Sequence, residues 1–196
     1  MSNLEDKLKS FFEEKNYAKI ESEIEKIDNI ENLNSKLQLS YATAKALNIN
    51  SKKQDYKIAA YLFNKLYEKK KTNLEFLHNL IFTSVKASYF EYVEPHLLKE
   101  YQKNKNDPKI LEGLGKMHYF YNEMDKASKY YEQLLKIRPY FLNTWSSYIA
   151  SLNYDNKNDQ NQYLKSAKKI DELPLPEIEK FKKNYKNEKI KIGFLS

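Results

Sequence analysis

The sequence predicts an all-α fold built from repeated helix pairs, and three observations carry that prediction. Only 3 glycines and 5 prolines occur in 196 residues, too few for the many tight turns of a β-rich fold. Lys, Glu, Leu and Ala, all good helix formers, fill many positions. Large and small residues also return at a spacing of 34, as expected of a chain whose units each bury an apolar face against the next.

The clearest unit runs from Pro108 to Phe141. Leu111, Leu114, Tyr131 and Leu134 are its large packing residues. Gly115 and Ala127 are small because the first and second helices of the unit (A and B) cross closely there. Asn122-Glu123-Met124-Asp125 makes the tight turn between them. Pro139 ends helix B, since proline lacks the amide that continues the ladder.

Stepping back 34 residues carries Ala127 to Val93 and Ala59, Met124 to Phe90 and Tyr56, and Tyr131 to Leu97 and Phe63. Leu134 breaks the series at Glu100, with Tyr101 beside it. Stepping forward, Leu111 maps to Trp145 and Leu114 to Tyr148. Gln54-Asp55-Tyr56 and Ser88-Tyr89-Phe90 echo the turn into helix B. So does Lys15-Asn16-Tyr17, followed by Ile20, Ile24 and Ile27.

The units fall at about 1–34, 35–73, 74–107, 108–141 and 142–175. Unit two carries about five extra residues, placed in the turn Asn48–Gln54. Unit three has Pro95 near the first turn of helix B, where proline is tolerated. Unit five has Ile149 in place of the small glycine and an irregular polar turn over Asn153–Gln162. After Leu173-Pro-Leu-Pro-Glu, the spacing of Ile178, Phe181 and Tyr185 predicts a capping helix over 176–187. Residues 188–196 read as an extended tail of β-branched character, the start of a further domain.

Leu111, Leu114-Gly115, Tyr119, Ala127, Tyr131 and Pro139 together resemble the tetratricopeptide-repeat (TPR) pattern. The resemblance spans nearly the whole chain. It is closest in unit four, fair in unit three and degenerate in units one, two and five. It implies a right-handed superhelix, an α-solenoid, whose concave groove binds an extended peptide or a partner protein. Helix A of each unit lines that groove. The residues carried over are Glu75, His78, Asn79, Phe82 and Lys86 from unit three, and Lys109, Glu112, Lys116, Tyr119 and Phe120 from unit four. Unit five contributes Asn143, Ser146, Ser147 and Asn153. Amides suit a peptide backbone, aromatic rings its side chains, and lysines its acidic groups.

Two departures narrow the expectation. TPR clamps for acidic C-termini use set Lys, Asn and Arg positions, which here read His78, Phe82, Gly113 and Ser147. The asparagine ladder of O-GlcNAc-transferase repeats is reduced to Asn79. The tail Lys189-Ile-Lys-Ile-Gly-Phe-Leu-Ser196 nevertheless resembles the segment where O-GlcNAc-transferase-like (SPINDLY-like) enzymes pass from their repeats into the glycosyltransferase domain. That resemblance implies a substrate-recognition arm whose catalytic parts lie beyond Ser196. The alternative is a free-standing TPR adaptor or chaperone scaffolding a complex. The reading frame downstream of Ser196 separates the two.

Other chemistry finds little support. With Cys 0 there is no thiolate zinc site or disulfide framework. His78, His96 and His118 match no compact metal motif. Phosphate-loop, dinucleotide and nucleophile-elbow motifs are absent, so the chain is read as having no cofactor, metal or catalytic residue of its own. Glu13/Glu14 and Glu21/Glu23/Glu25 are expected to be solvated helix surface. The net charge of +7 comes from lysines interleaved with glutamates, a solvated pattern. A basic RNA-binding repeat, with aromatic rings stacking on bases, is disfavoured because Tyr56, Phe63, Phe90 and Tyr131 fall at packing positions. The N-terminus lacks a signal-peptide pattern, and no apolar run approaches the roughly 18 residues of a membrane span. The sequence-based expectation is therefore a cytoplasmic protein without a membrane partner, of undetermined oligomeric state.

Overall fold

The computed structural model describes residues 2–27, 30, 33–154 and 160–173. The predicted cap over 176–187 and the tail over 188–196 lie outside the described residues. Among the described residues there are ten α-helices and no strand. They alternate as five pairs: α1 Ser2–Glu13 and α2 Tyr17–Glu25; α3 Ser35–Leu47 and α4 Lys53–Lys69; α5 Leu74–Ala87 and α6 Glu94–Lys103; α7 Pro108–Phe120 and α8 Met124–Ile137; α9 Leu142–Tyr154 and α10 Gln160–Asp171.

Local chemistry fixes the helix ends. Asn16, Asn34, Asn73 and Asp107 cap α2, α3, α5 and α7, each side-chain oxygen accepting from an amide of the first turn. Asp107 accepts two, from Lys109 at 2.9 Å and Ile110 at 3.1 Å. These bonds occupy amides that have no partner within the helix. At the other end, α1, α5 and α7 close through Lys15, Ser88 and Asn122, with φ of 54°, 49° and 61°. In each turn the next amide reaches back to a carbonyl five residues earlier: Asn16 to Phe11, Tyr89 to Ser84, and Glu123 to His118. This is the Schellman closure, repeated in three units.

Pro95 falls in the first turn of α6 and Pro139 lies just beyond α8. One turn echo and one position of the 34-residue series are corrected. Gln54-Asp55-Tyr56 belongs to the first turns of α4 rather than to the loop before it. Val93 is the N-cap of α6, not an interior helix position like Ala127. Pro95 has no amide to donate, so the segment before it coils as turns from which α6 starts late.

Packing runs from neighbour to neighbour: α1 on α2, α2 on α3, α3 on α4, α4 on α5, α5 and α6 on α7, α7 on α8, α8 on α9 and α9 on α10. One buried cluster extends from Leu8 through Ile20, Tyr41, Ala59, Phe63, Leu80, Phe90 and Leu97 to Leu114 and Met117. A second joins Ala127, Tyr131 and Leu135 to Trp145, Tyr148 and Leu152. The two meet at α7, where side-chain volume is removed twice. A Cβ on Gly115 would lie 2.5 Å from Cε1 of Tyr131, and one on Gly113 would lie 2.9 Å from Cγ2 of Ile81 and 3.1 Å from Cδ2 of Leu97. Gly115 admits a ring from its own unit and Gly113 admits the preceding unit.

Candidate peptide-binding groove

The seam at α7 opens into an open-sided cavity of about 620 Å³. Val85 and Ser88 come from the end of α5, and Lys116, Tyr119 and Phe120 from α7. Ser146, Ser147 and Ala150 come from α9. Phe90, buried, and Tyr131, reaching up from α8, complete the lining. Pockets that hold small ligands span roughly 300–1,000 Å³, so the space suffices for a large side chain.

Tyr131 is positioned by Gly115 below its ring. Burial pushes its hydroxyl above the ordinary phenol value, offset in part by a hydrogen bond with Ser147. Phe90 and Phe120 pack with ring centroids 5.4 Å apart. Lys116 ion-pairs with Glu112 one turn earlier at 2.7 Å, both side chains being about one-third exposed.

Of the sequence-predicted residues, the cavity gathers Lys116, Tyr119, Phe120, Ser146 and Ser147. Tyr119, expected in the groove, is half-buried: it lines the cavity and also packs on the second core cluster. Phe82 and Lys86 lie further along α5, the ammonium 5.8 Å from the ring centroid and Tyr56 edge-on at 6.4 Å. His78 is half-buried against the Asp107 cap, Nε2 lying 3.4 Å from its carboxylate without a hydrogen bond. Glu75, Lys109 and Asn143 are exposed and Asn79 half-buried, outside the cavity lining.

The reading of Glu21 and Glu23 as solvated surface is overturned, whereas Glu25 stays about half in water even though it is paired. Lys45 on α3 is buried and meets Glu21 at 2.7 Å, Glu25 at 3.0 Å and Asp55 at 3.0 Å. Tyr41 donates to Glu25 and Asn48 to Glu21, each at 2.7 Å. Glu23 is four-fifths covered and takes Lys7 and Lys26. Glu100, the break in the 34-residue series, is also buried. Its carboxylate accepts from Tyr67 at 3.1 Å and Lys103 at 2.6 Å, and burial with this carboxylate pushes the Tyr67 hydroxyl up to about 12.

Among the described residues no group of three or more His, Cys, Asp and Glu could hold a metal ion, and no helix is long and apolar enough to cross a membrane. No known protein-family profile matches the chain, and no curated protein matches it. Among solved structures, MamA AMB-1 in a P212121 crystal form is similar. It superposes with a TM-score of 0.65 at 17% identity, over 88% of this chain and 90% of that one. At that identity the likeness speaks for the fold: the chain has a TPR-like helical-repeat fold.

Proposed function

We propose that this chain is a protein-interaction module that binds an extended polypeptide along α5, α7 and α9. The cavity at the α7 seam carries the reading. It brings apolar rings, serine hydroxyls and one ammonium together on a face that no other part of the described fold covers. That combination suits a peptide, whose backbone needs donors and acceptors and whose side chains need apolar recesses. The TPR-like fold supports the same reading, since stacked helix pairs create extended binding surfaces.

A role as the substrate-recognition arm of a glycosyltransferase rests on residues 189–196, outside the described residues, and a free-standing adaptor uses the same groove. The test is common to both. Lys116→Glu combined with Tyr119→Ala should weaken captured polypeptides by about 1–4 kcal/mol. Capture is measured by pull-down from a displayed peptide library, alongside a melting curve. Intact melting with unchanged capture removes the groove assignment. Joint loss of melting and capture reflects the core packing of Tyr119, and Lys116→Glu alone, at unchanged melting, then decides the groove assignment.

A further inference from the structure

We infer that the cavity between α7 and α9 takes a single aromatic or large aliphatic side chain, and that Lys116 leaves Glu112 to bind a carboxylate beside that anchor. The inference rests on the groove reading above and adds the recognition chemistry.

The lining carries the first half. Phe90, Tyr119, Phe120 and the Tyr131 ring form apolar walls around about 620 Å³. The Tyr131 hydroxyl is engaged with Ser147, which leaves a mainly apolar recess. An apolar side chain entering it removes its own surface and that of the rings from water.

Charge carries the second half. Among the described residues lining the cavity, Lys116 is a cation and none is a carboxylate. Its present partner Glu112 stands outside the lining, on the same helix, and both partners remain about one-third in water. Partly exposed pairs of this spacing are weak. A ligand carboxylate arriving at the cavity mouth replaces Glu112 without stranding a charge, because Glu112 returns to solvent. A ligand ammonium in the same place faces Lys116. Glu112 thus acts as an internal competitor that lowers affinity for acidic ligands.

The experiment selects a displayed dodecapeptide library on the full chain and measures labelled hits by fluorescence polarisation. The hits should share an aromatic or leucine residue with Asp or Glu within two positions. Ser146→Trp, which places an indole at the cavity from an exposed site, should abolish binding, and Ser146→Leu serves if the tryptophan variant melts early. Glu112→Gln should tighten an acid-bearing hit several-fold and leave its amide counterpart unchanged, whereas Lys116→Gln should weaken the former. Hits blocked at Ser146 that lack the anchor or the acid, or that ignore Glu112→Gln, overturn this inference and leave the groove reading standing. Hits indifferent to both Ser146 variants, or no hits at all, overturn both.

Discussion

At the scale of single residues, this fold depends on a few positions where the backbone or the space is unusual. Lys15, Ser88 and Asn122 hold left-handed φ at the ends of α1, α5 and α7. A residue with a Cβ spends about 1–2 kcal/mol there that glycine does not. Ser88→Gly is therefore expected to raise stability by about 1 kcal/mol, read as a higher chemical-denaturation midpoint at unchanged slope, and a lowered midpoint would reject the strain argument. Gly115 behaves oppositely. Its added Cβ would fall 2.5 Å from the Tyr131 ring, which is buried and bonded to Ser147 and so cannot swing aside. Gly115→Ala should destabilise by about 1–3 kcal/mol, and Ala127→Leu by a similar amount, because Ala127 is fully enclosed. The small size of both residues was legible in the sequence as part of the repeat. The three turns were legible as places, but their left-handed φ was not, because Lys, Ser and Asn stand where glycine would have announced it.

Whole helices are tied together by charges that the linear pattern conceals. Lys45 on α3 joins Glu21 and Glu25 on α2 to Asp55 on α4. Burial opposes ionisation at Lys45, Glu25 and Asp55. The hydrogen bonds outweigh it, holding Glu25 and Asp55 below the usual carboxylate range and Lys45 above its own. Lowered carboxyl values mean that the folded chain binds fewer protons than the unfolded one in acid. Their stabilisation is thus complete above about pH 4, the ordinary carboxyl value, and is lost as pH falls through the lowered folded values. The raised lysine adds stability that is complete below about pH 10, its ordinary value, and fades only above the raised one. Lys45→Met would leave three facing carboxylates without their shared cation, costing about 2–4 kcal/mol at neutral pH, with Glu25 half in water and so at the lower end. Thermal melts across pH should show the gap between wild type and variant narrowing below pH 4, as protonation relieves the repulsion. A gap constant with pH would mean that packing, not charge, is what Lys45 supplies. The sequence could not reveal this network, since its members are separated by up to 34 residues and each looks like an ordinary surface charge. Glu100 was visible as a break in the repeat, but its partner Tyr67 lies on another helix. The helical periodicity itself was plain, because burial repeats with the chain while ion pairing does not.

For the molecule as a whole, nearest-neighbour packing sets how stability is distributed. Interior helices are held on more than one side: α7 meets α5, α6 and α8, whereas α1 is held chiefly by α2 and α10 by α9. Burial follows the same gradient. Leu8 is the buried hydrophobic residue of α1 among the described side chains, whereas α7 buries Ile110, Leu111, Leu114 and Met117. In such an array local opening costs roughly the interfaces it breaks, so protection rises from the ends inward. Native-state hydrogen exchange should therefore show α1 and α10 exchanging fastest and α4, α5, α7 and α8 slowest. Adding moderate urea should merge the interior helices into one opening unit before α1 joins them. The proposed groove gives this gradient a functional edge, because its floor belongs to the well-protected α7–α8 pair while Ser146, Ser147 and Ala150 come from α9, one step nearer the end. A bound peptide bridging α7 and α9 should slow exchange in α9 by more than in α7, where little opening remains to suppress. Equal protection of all ten helices would show that the array unfolds as one cooperative block. Slowing confined to α1–α4 on binding would place the ligand on units one and two instead of at the α7 seam.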